Sequence, residues 1–335
     1  MAVATLNPVR APQWILIYNG IDISAATSAR IVSLSYTDYL SQLSGDLQIV
    51  VEDHDRIWQS TWYPAFGDVV NLAIGYRNET LLPCGVFQVD QLELTGPPDT
   101  FSIRCLAAYI TPAMRTRNTV GYEGQTLLGI AQTIAGKYGL SLASVPDLDD
   151  IAFARVTQKY ETDLAFLKRL AVEHGYDFTI RGAAMVFYSQ AALEAVLPIQ
   201  TLTRSDLERF HFRNRTHGIY LSSTVSYQDP LAKALIVQSA PTTMPVANSD
   251  TLKIVTRVEN GQQALLKAQA ALNLHDMFFM DATLSMPGSV AMAAGTTIGL
   301  AGFGQFDGTY LIVVAHHRID RSRGYTTQVE VSRVL

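Results

Sequence analysis

Gly67-Asp68-Val69-Val70-Asn71-Leu72-Ala73 is echoed about two hundred residues later by Gly295-Thr296-Thr297-Ile298-Gly299-Leu300-Ala301. A second pair keeps the same order: Gly85-Val86-Phe87-Gln88-Val89 against Gly308-Thr309-Tyr310-Leu311-Ile312. Each then runs through a Gly-containing turn, around Gly96 and Gly324, into a last alternating strand. A third pair stands upstream, Tyr36-Thr37-Asp38-Tyr39-Leu40 against Tyr227-Gln228-Asp229-Pro230-Leu231, followed by the apolar runs Leu47 to Val51 and Ala234 to Val237. No single match is specific. Their common order predicts a tandem pair of β units, the feature to settle before any fold assignment. Closed rings dominate protein assembly, so three chains with two such units each would set six similar units around one axis. The duplication therefore points to a symmetry adapter.

At 335 residues the chain suits two or three domains, with ample apolar content to bury. A net charge of -5 without a Lys/Arg run argues against tight, sequence-independent nucleic-acid binding, which relies on many phosphate neutralisations. Cys84 and Cys105 are widely spaced within strand-like segments and read as buried free thiols rather than a disulfide or metal pair. Met1 to Arg10 lacks the apolar stretch of a secretory signal. Ala282 to Phe306 carries no charge and is long enough to span a membrane, but Pro287-Gly288 and the glycines at 295, 299, 302 and 304 divide it into short strands and turns. No membrane span is expected.

The predicted architecture is mainly β with an α/β insert: two related tube-like β-barrel domains and a small helical α/β module. Residues 1–110 form the first barrel domain. It opens on a hairpin in which Asn19-Gly20 supplies a tight turn between Trp14–Tyr18 and Ile21–Ile23. Strands follow at Arg30–Tyr36, Leu47–Glu52, Asp68–Tyr76, Gly85–Leu94 and Thr100–Ala107, the short-strand pattern of a barrel or sandwich. Residues 111–188 form the module. Leu127, Ile130, Ala131, Ile134, Ala135 and Tyr138 take helical spacing before Gly139. A second helix runs from Asp163 to His174, capped by Thr162 and stopped by Gly175, and a hairpin turns around Arg181-Gly182. Residues 189–335 form the second barrel domain, with an inserted helix 261–273 capped by Asn260. There Arg209 to Arg215 alternates, Phe210 and Phe212 on one face and Arg209, His211, Arg213 and Arg215 on the other. That basic face is either solvated or meets an acidic neighbouring subunit or DNA in a channel.

Chemistry is sparse. His316 and His317 are adjacent in a strand, point to opposite faces and cannot easily chelate one ion. Asp147, Asp149 and Asp150 lack the glycine and terminal glutamate of a calcium loop and read as a solvated turn. Glu161 and Asp163 offer a carboxylate pair of the kind that cleaves glycosides, but Thr162-Asp163 is more simply a surface helix cap. Gly302-Phe303-Gly304 is followed by no helix to hold phosphate. The sequence assigns no catalytic, cofactor-binding or metal-binding residue, and no enzyme activity is expected.

Tyr160-Glu161-Thr162-Asp163-Leu164-Ala165-Phe166-Leu167, with Arg169-Leu170-Ala171 and His174-Gly175-Tyr176, resembles the signature helix of the phage late control gene D protein family. Gly302-Phe303-Gly304, Phe306 to Tyr310, His316-His317 and Gly324 to Thr327 are similar to that family's closing strands. These are baseplate hubs of contractile phage tails and tailocins, related to the hub part of type VI secretion spike proteins. The resemblance covers most of residues 121–335 and the first hundred more faintly. It implies a homotrimer whose paired barrels make a pseudo-hexameric ring between the hexameric tail tube protein and a trimeric spike protein. It also implies contact with the tape-measure protein and other baseplate proteins, DNA passing through the channel, and a place in the virion tail baseplate or tailocin particle, assembled in the bacterial host cytoplasm. No active residues carry over. Because the chain stops at Leu335, the spike is expected to be a separate protein. The alternative is a peptidoglycan-hydrolysing or peptidoglycan-binding tail component, the latter suggested by a faint likeness of Gly121 to Leu148 to a LysM domain.

Overall fold

The structure, a computed structural model, describes residues 10–41, 45–107, 112–144, 150–215, 217–229, 233–242, 244, 249–277 and 279–334. Its first unit begins with β1 (Pro12–Tyr18) and β2 (Ile21–Asp22), joined where Asn19 and Gly20 take φ of 46° and 83° as a type I′ turn requires. A single-turn helix, α1 (Ser24–Thr27), leads to β3 (Ile31–Tyr39), β4 (Asp46–Glu52), β5 (Val69–Tyr76), β6 (Leu82–Thr95) and β7 (Thr100–Ala107). Leu47, Ile49 and Val51 point into a core with Leu34, Val70, Leu72, Phe87 and Ile103, while Gln48 between them faces out.

The module follows: β8 (Arg117–Thr126), α2 (Leu127–Lys137), β9 (Ser141–Ser144), β10 (Ala152–Thr162), α3 (Asp163–Val172), β11 (Tyr176–Arg181), β12 (Ala184–Ser189) and α4 (Gln190–Glu194). Thr126 and Thr162 cap α2 and α3 by accepting from the N–H groups of Gly129 and Ala165. Gly139 and Gly175 turn left-handed just beyond the helix ends, at φ of 68° and 81°. The helices lie on a separate core with Phe166, Leu167, Phe178 and Phe187 at its centre, all fully buried.

The last unit contains β13 (Thr201–Leu202) and β14 (Arg209–Asn214). An excursion follows, formed by β15 (Ser222–Asp229), β16 (Ala234–Pro241), β17 (Thr251–Val255) and α5 (Gly261–Asp276), which is capped by Asn260. The unit then closes with β18 (Met280–Pro287), β19 (Thr297–Leu300), β20 (Gly308–Asp320) and β21 (Gly324–Arg333). The charge-free stretch from Ala282 thus contributes two strands and loops, and no helix among the described residues is long and apolar enough to cross a membrane.

Strand order exposes the duplication. In the first unit the neighbours run β1-β5-β6-β7-β4-β3, and in the last β13-β19-β20-β21-β18-β14. Register agrees as well as order. Leu72 sits opposite Gly85 as Leu300 sits opposite Gly308, and the ladder to the following strand slips between Val89 and Gln91 as it does between Ile312 and Val314. The N–H of Gly67 donates to the carbonyl of Val89, and that of Gly295 to Ile312, each at 2.9 Å with φ of 88° at the glycine. One difference remains: β1 pairs antiparallel with β5, but β13 runs parallel to β19.

The pairing of Tyr36–Leu40 with Tyr227–Leu231 is corrected by this topology. Tyr227 lies in β15, part of a three-stranded sheet of its own with β16 and β17 under α5, and Pro230 and Leu231 fall outside the described residues. The positional counterparts of β3 and β4 are β14 and β18. Leu34 and Tyr36 face Ile49 and Leu47 as Phe210 and Phe212 face Leu284 and Ala282. The excursion separates β14 from β18, so no contiguous match in sequence could reveal it.

Candidate functional site

Polar groups buried in the chain serve its architecture. Asp163, expected at the surface, is corrected by the structure: its side chain is 3% exposed. It receives Lys137 Nζ at 2.6 Å, Tyr138 OH at 2.7 Å, Gln158 Nε2 at 2.8 Å and Asn118 Nδ2 at 3.0 Å. Burial alone would push this carboxyl up, but the four donors outweigh it and hold it at about 2. Glu161 points elsewhere, to the Arg169 guanidinium at 2.9 Å, so the two acids do not flank a shared substrate site. His317 is fully buried between Met292 O and Tyr325 OH, each at 2.9 Å. A carbonyl can only accept, so Nε2 carries the proton and Nδ1 accepts from the tyrosine. His316, on the opposite face, meets Thr37 Oγ1 at 2.8 Å. Burial pushes the Cys84 thiol up strongly and Cys105 to about 12, so neither is a poised nucleophile.

Among the described residues no cluster of His, Cys, Asp or Glu is placed to hold a metal ion. Asp150 caps α2 through the N–H of Leu128, while Asp147 and Asp149 lie outside the described residues. Phe303, between the glycines at 302 and 304, packs edge-on against Phe210, with only a single 3₁₀ turn following at Gly304–Phe306.

What remains is a surface. The two units join where the second half of β20 pairs antiparallel with β3, from Val314 opposite Tyr39 to Asp320 opposite Ser33. This makes one continuous wall in the order β14-β18-β21-β20-β3-β4-β7-β6. One face of the wall is core. The other is largely polar, set with Arg213, Asp281, Glu330, Gln328, Arg318, Ser35, Gln48 and Arg104 and interrupted by Val314 and Val50. Acids and bases are mixed along it: Asp281 takes both Arg213 and Arg215, and Asp46 takes Arg104. Each end of the wall is bare among the described residues. β14 has β18 on one side only, and beyond the slip at Val89 the stretch Asp90–Thr95 of β6 has β7 on one side only. Leu94 at that end is 51% exposed and Phe210 at the other 38%. The sequence showed the basic alternation of β14 but nothing marked Gln91-Leu92-Glu93-Leu94-Thr95 as its counterpart at the far end.

The described residues thus form a duplicated β wall with a bare strand edge at each end. No protein-family model matches the chain. Two curated relatives do, each a probable baseplate hub protein. That of Escherichia phage 186 is 29% identical over 221 residues, 65% of this chain and 56% of its own length. That of Escherichia phage P2 is 29% identical over 220 residues, with 64% and 56% covered. The chain thus spans about half the length of these relatives. The fold recurs in the 43 kDa tail protein of prophage MuSo2 from Shewanella oneidensis, with a TM-score of 0.73 at 16% identity over 96% of this chain and 98% of that one. It recurs in the tail protein from Neisseria meningitidis, with a TM-score of 0.76 at 10% identity over 96% and 97%. An E. coli type VI secretion component, c3393, shares it at a TM-score of 0.56 and 14% identity over 91% and 73%. The chain is thus similar in sequence to probable phage baseplate hub proteins and shares the fold of phage tail proteins.

Proposed function

We propose that the chain is the hub ring of a contractile tail or tail-like particle. Three copies, each carrying one tube-like domain in residues 1–110 and another in 189–335 with the module 111–188 between, would stand as six similar units. Such a ring meets a hexameric tube on one side and a trimeric spike on the other, which no set of identical contacts could do. The observation that carries the reading is the shared strand order and register of the two units within one continuous wall. The mixed charge of the polar face and the net charge of -5 suit a channel through which DNA or a tape-measure protein slides without sticking. Native mass spectrometry tests the ring directly: the expected species is three times the 36.8 kDa chain, and a protein that stays monomeric at every concentration overturns the proposal.

A further inference from the structure

The cleft between the module and the excursion, of about 240 Å³, gathers positive charge in a chain that is acidic overall. β10 gives it Arg155, α3 gives Arg169 and Glu173, and the excursion gives Arg257, Glu259 and Lys267, four cations to two acids. Both acids are already matched. Glu173 takes Lys267 Nζ at 2.8 Å and Arg169 at 3.2 Å, and Glu259 accepts the N–H groups of Ala154 and Arg155 at 3.0 and 3.2 Å. The cations keep donors to spare. Lys267, its side chain only 10% exposed, spends two of its three protons, on Glu173 and the Arg257 carbonyl. The exposed Arg257 guanidinium has no partner among the described residues, and Arg155 reaches Glu123 at 3.5 Å with both side chains well exposed.

His174 closes the back of this cleft, 4% exposed and edge-on to Phe153. Its Nδ1 stands 2.8 Å from the Leu170 carbonyl, which can only accept, so Nδ1 carries the proton. Burial lowers its pKa and the Lys267 ammonium adds to that, so the ring is neutral at pH 7. Nε2, turned the other way, is then a bare lone pair, buried without a partner. The cations need acceptor oxygens and Nε2 needs a donated proton. Carboxylate, sulfate and phosphodiester offer the first without the second; hydrogen phosphate offers both. We propose that the cleft binds hydrogen phosphate, free or as the end of a phosphomonoester that keeps its proton, with the O–H donated to His174 Nε2 and the other oxygens accepting from Lys267, Arg257 and Arg155. Cations arriving from β10, the segment before α5 and α5 itself suit a compact tetrahedral anion better than a planar one. Seated there, the ion ties the module to the excursion. Neither this site nor its ligand depends on the hub-ring reading.

Calorimetric titration of the full chain at pH 7 with inorganic phosphate, sulfate and glucose 6-phosphate tests this. Phosphate should bind about tenfold or more tighter than sulfate, which matches it in shape but brings no proton for Nε2. Glucose 6-phosphate separates the two sources, binding as phosphate does if the site takes a monoester and not at all if it takes the free ion. H174N keeps a donor for the Leu170 carbonyl and removes Nε2, so the preference for phosphate over sulfate should vanish. R257Q, at an exposed position, should leave the fold intact by circular dichroism and weaken both anions by about tenfold with the preference unchanged. Bound phosphate should also slow hydrogen exchange in peptides covering β10 and α5. Phosphate and sulfate binding equally, with H174N and R257Q like the wild type, means an adventitious ion only and overturns the site. So does a wild-type chain that shows no binding at millimolar phosphate.

Discussion

Asp163 offers a test of how α3 is held. Its carboxylate sits at about 2 against an unfolded value near 3.9, and each unit of difference is worth about 1.36 kcal/mol. The folded state is therefore favoured by about 2.5 kcal/mol at neutral pH, in full only above the unfolded value. This contribution falls as pH drops through that value, is roughly halved by pH 3, and is nearly gone by pH 2. Asp163→Asn keeps the shape but turns an amide towards donors, leaving buried Gln158 Nε2 with a weaker partner. We expect a loss of about 2–3 kcal/mol at pH 7 and a variant whose stability no longer changes between about pH 4 and 2 on this account. The three tryptophans, Trp14, Trp58 and Trp62, all lie in the first unit, so fluorescence would miss the event. Hydrogen exchange of peptides covering α2 and α3 reads it directly. Protection that is unchanged at pH 7, or that falls equally at pH 7 and pH 2 relative to the wild type, would refute the reasoning.

His317 gives the second pH window. Burial lowers it to about 4, so its contribution of about 3 kcal/mol is complete above pH 6.5 and lost as pH falls towards 4; H317Q should flatten denaturation midpoints over that range. Leu284 is fully buried in β18 against Val329, and Leu284→Ala should cost about 2–5 kcal/mol by urea denaturation while Ser285→Ala beside it, on the polar face, costs under about 0.5.

Local features were legible in the sequence because their causes are local. Asn19-Gly20 fixes its turn through backbone angles, and Thr126, Thr162 and Asn260 each satisfy an amide three residues on. α5 runs on to Asp276, beyond the expected 273, because nothing in its last turn breaks it. The Gly67 and Gly295 matches survived for the same reason: both glycines make one required backbone angle and one backbone bond. The match at Tyr227 failed because residue types alone carried it. β3 and β14 share only a rhythm of inward side chains, Leu34 and Tyr36 against Phe210 and Phe212, which many strands have. Asp163 was misplaced at the surface because its four donors come from the end of α2 and the residue just beyond it, β8 and β10, a convergence no spacing announces.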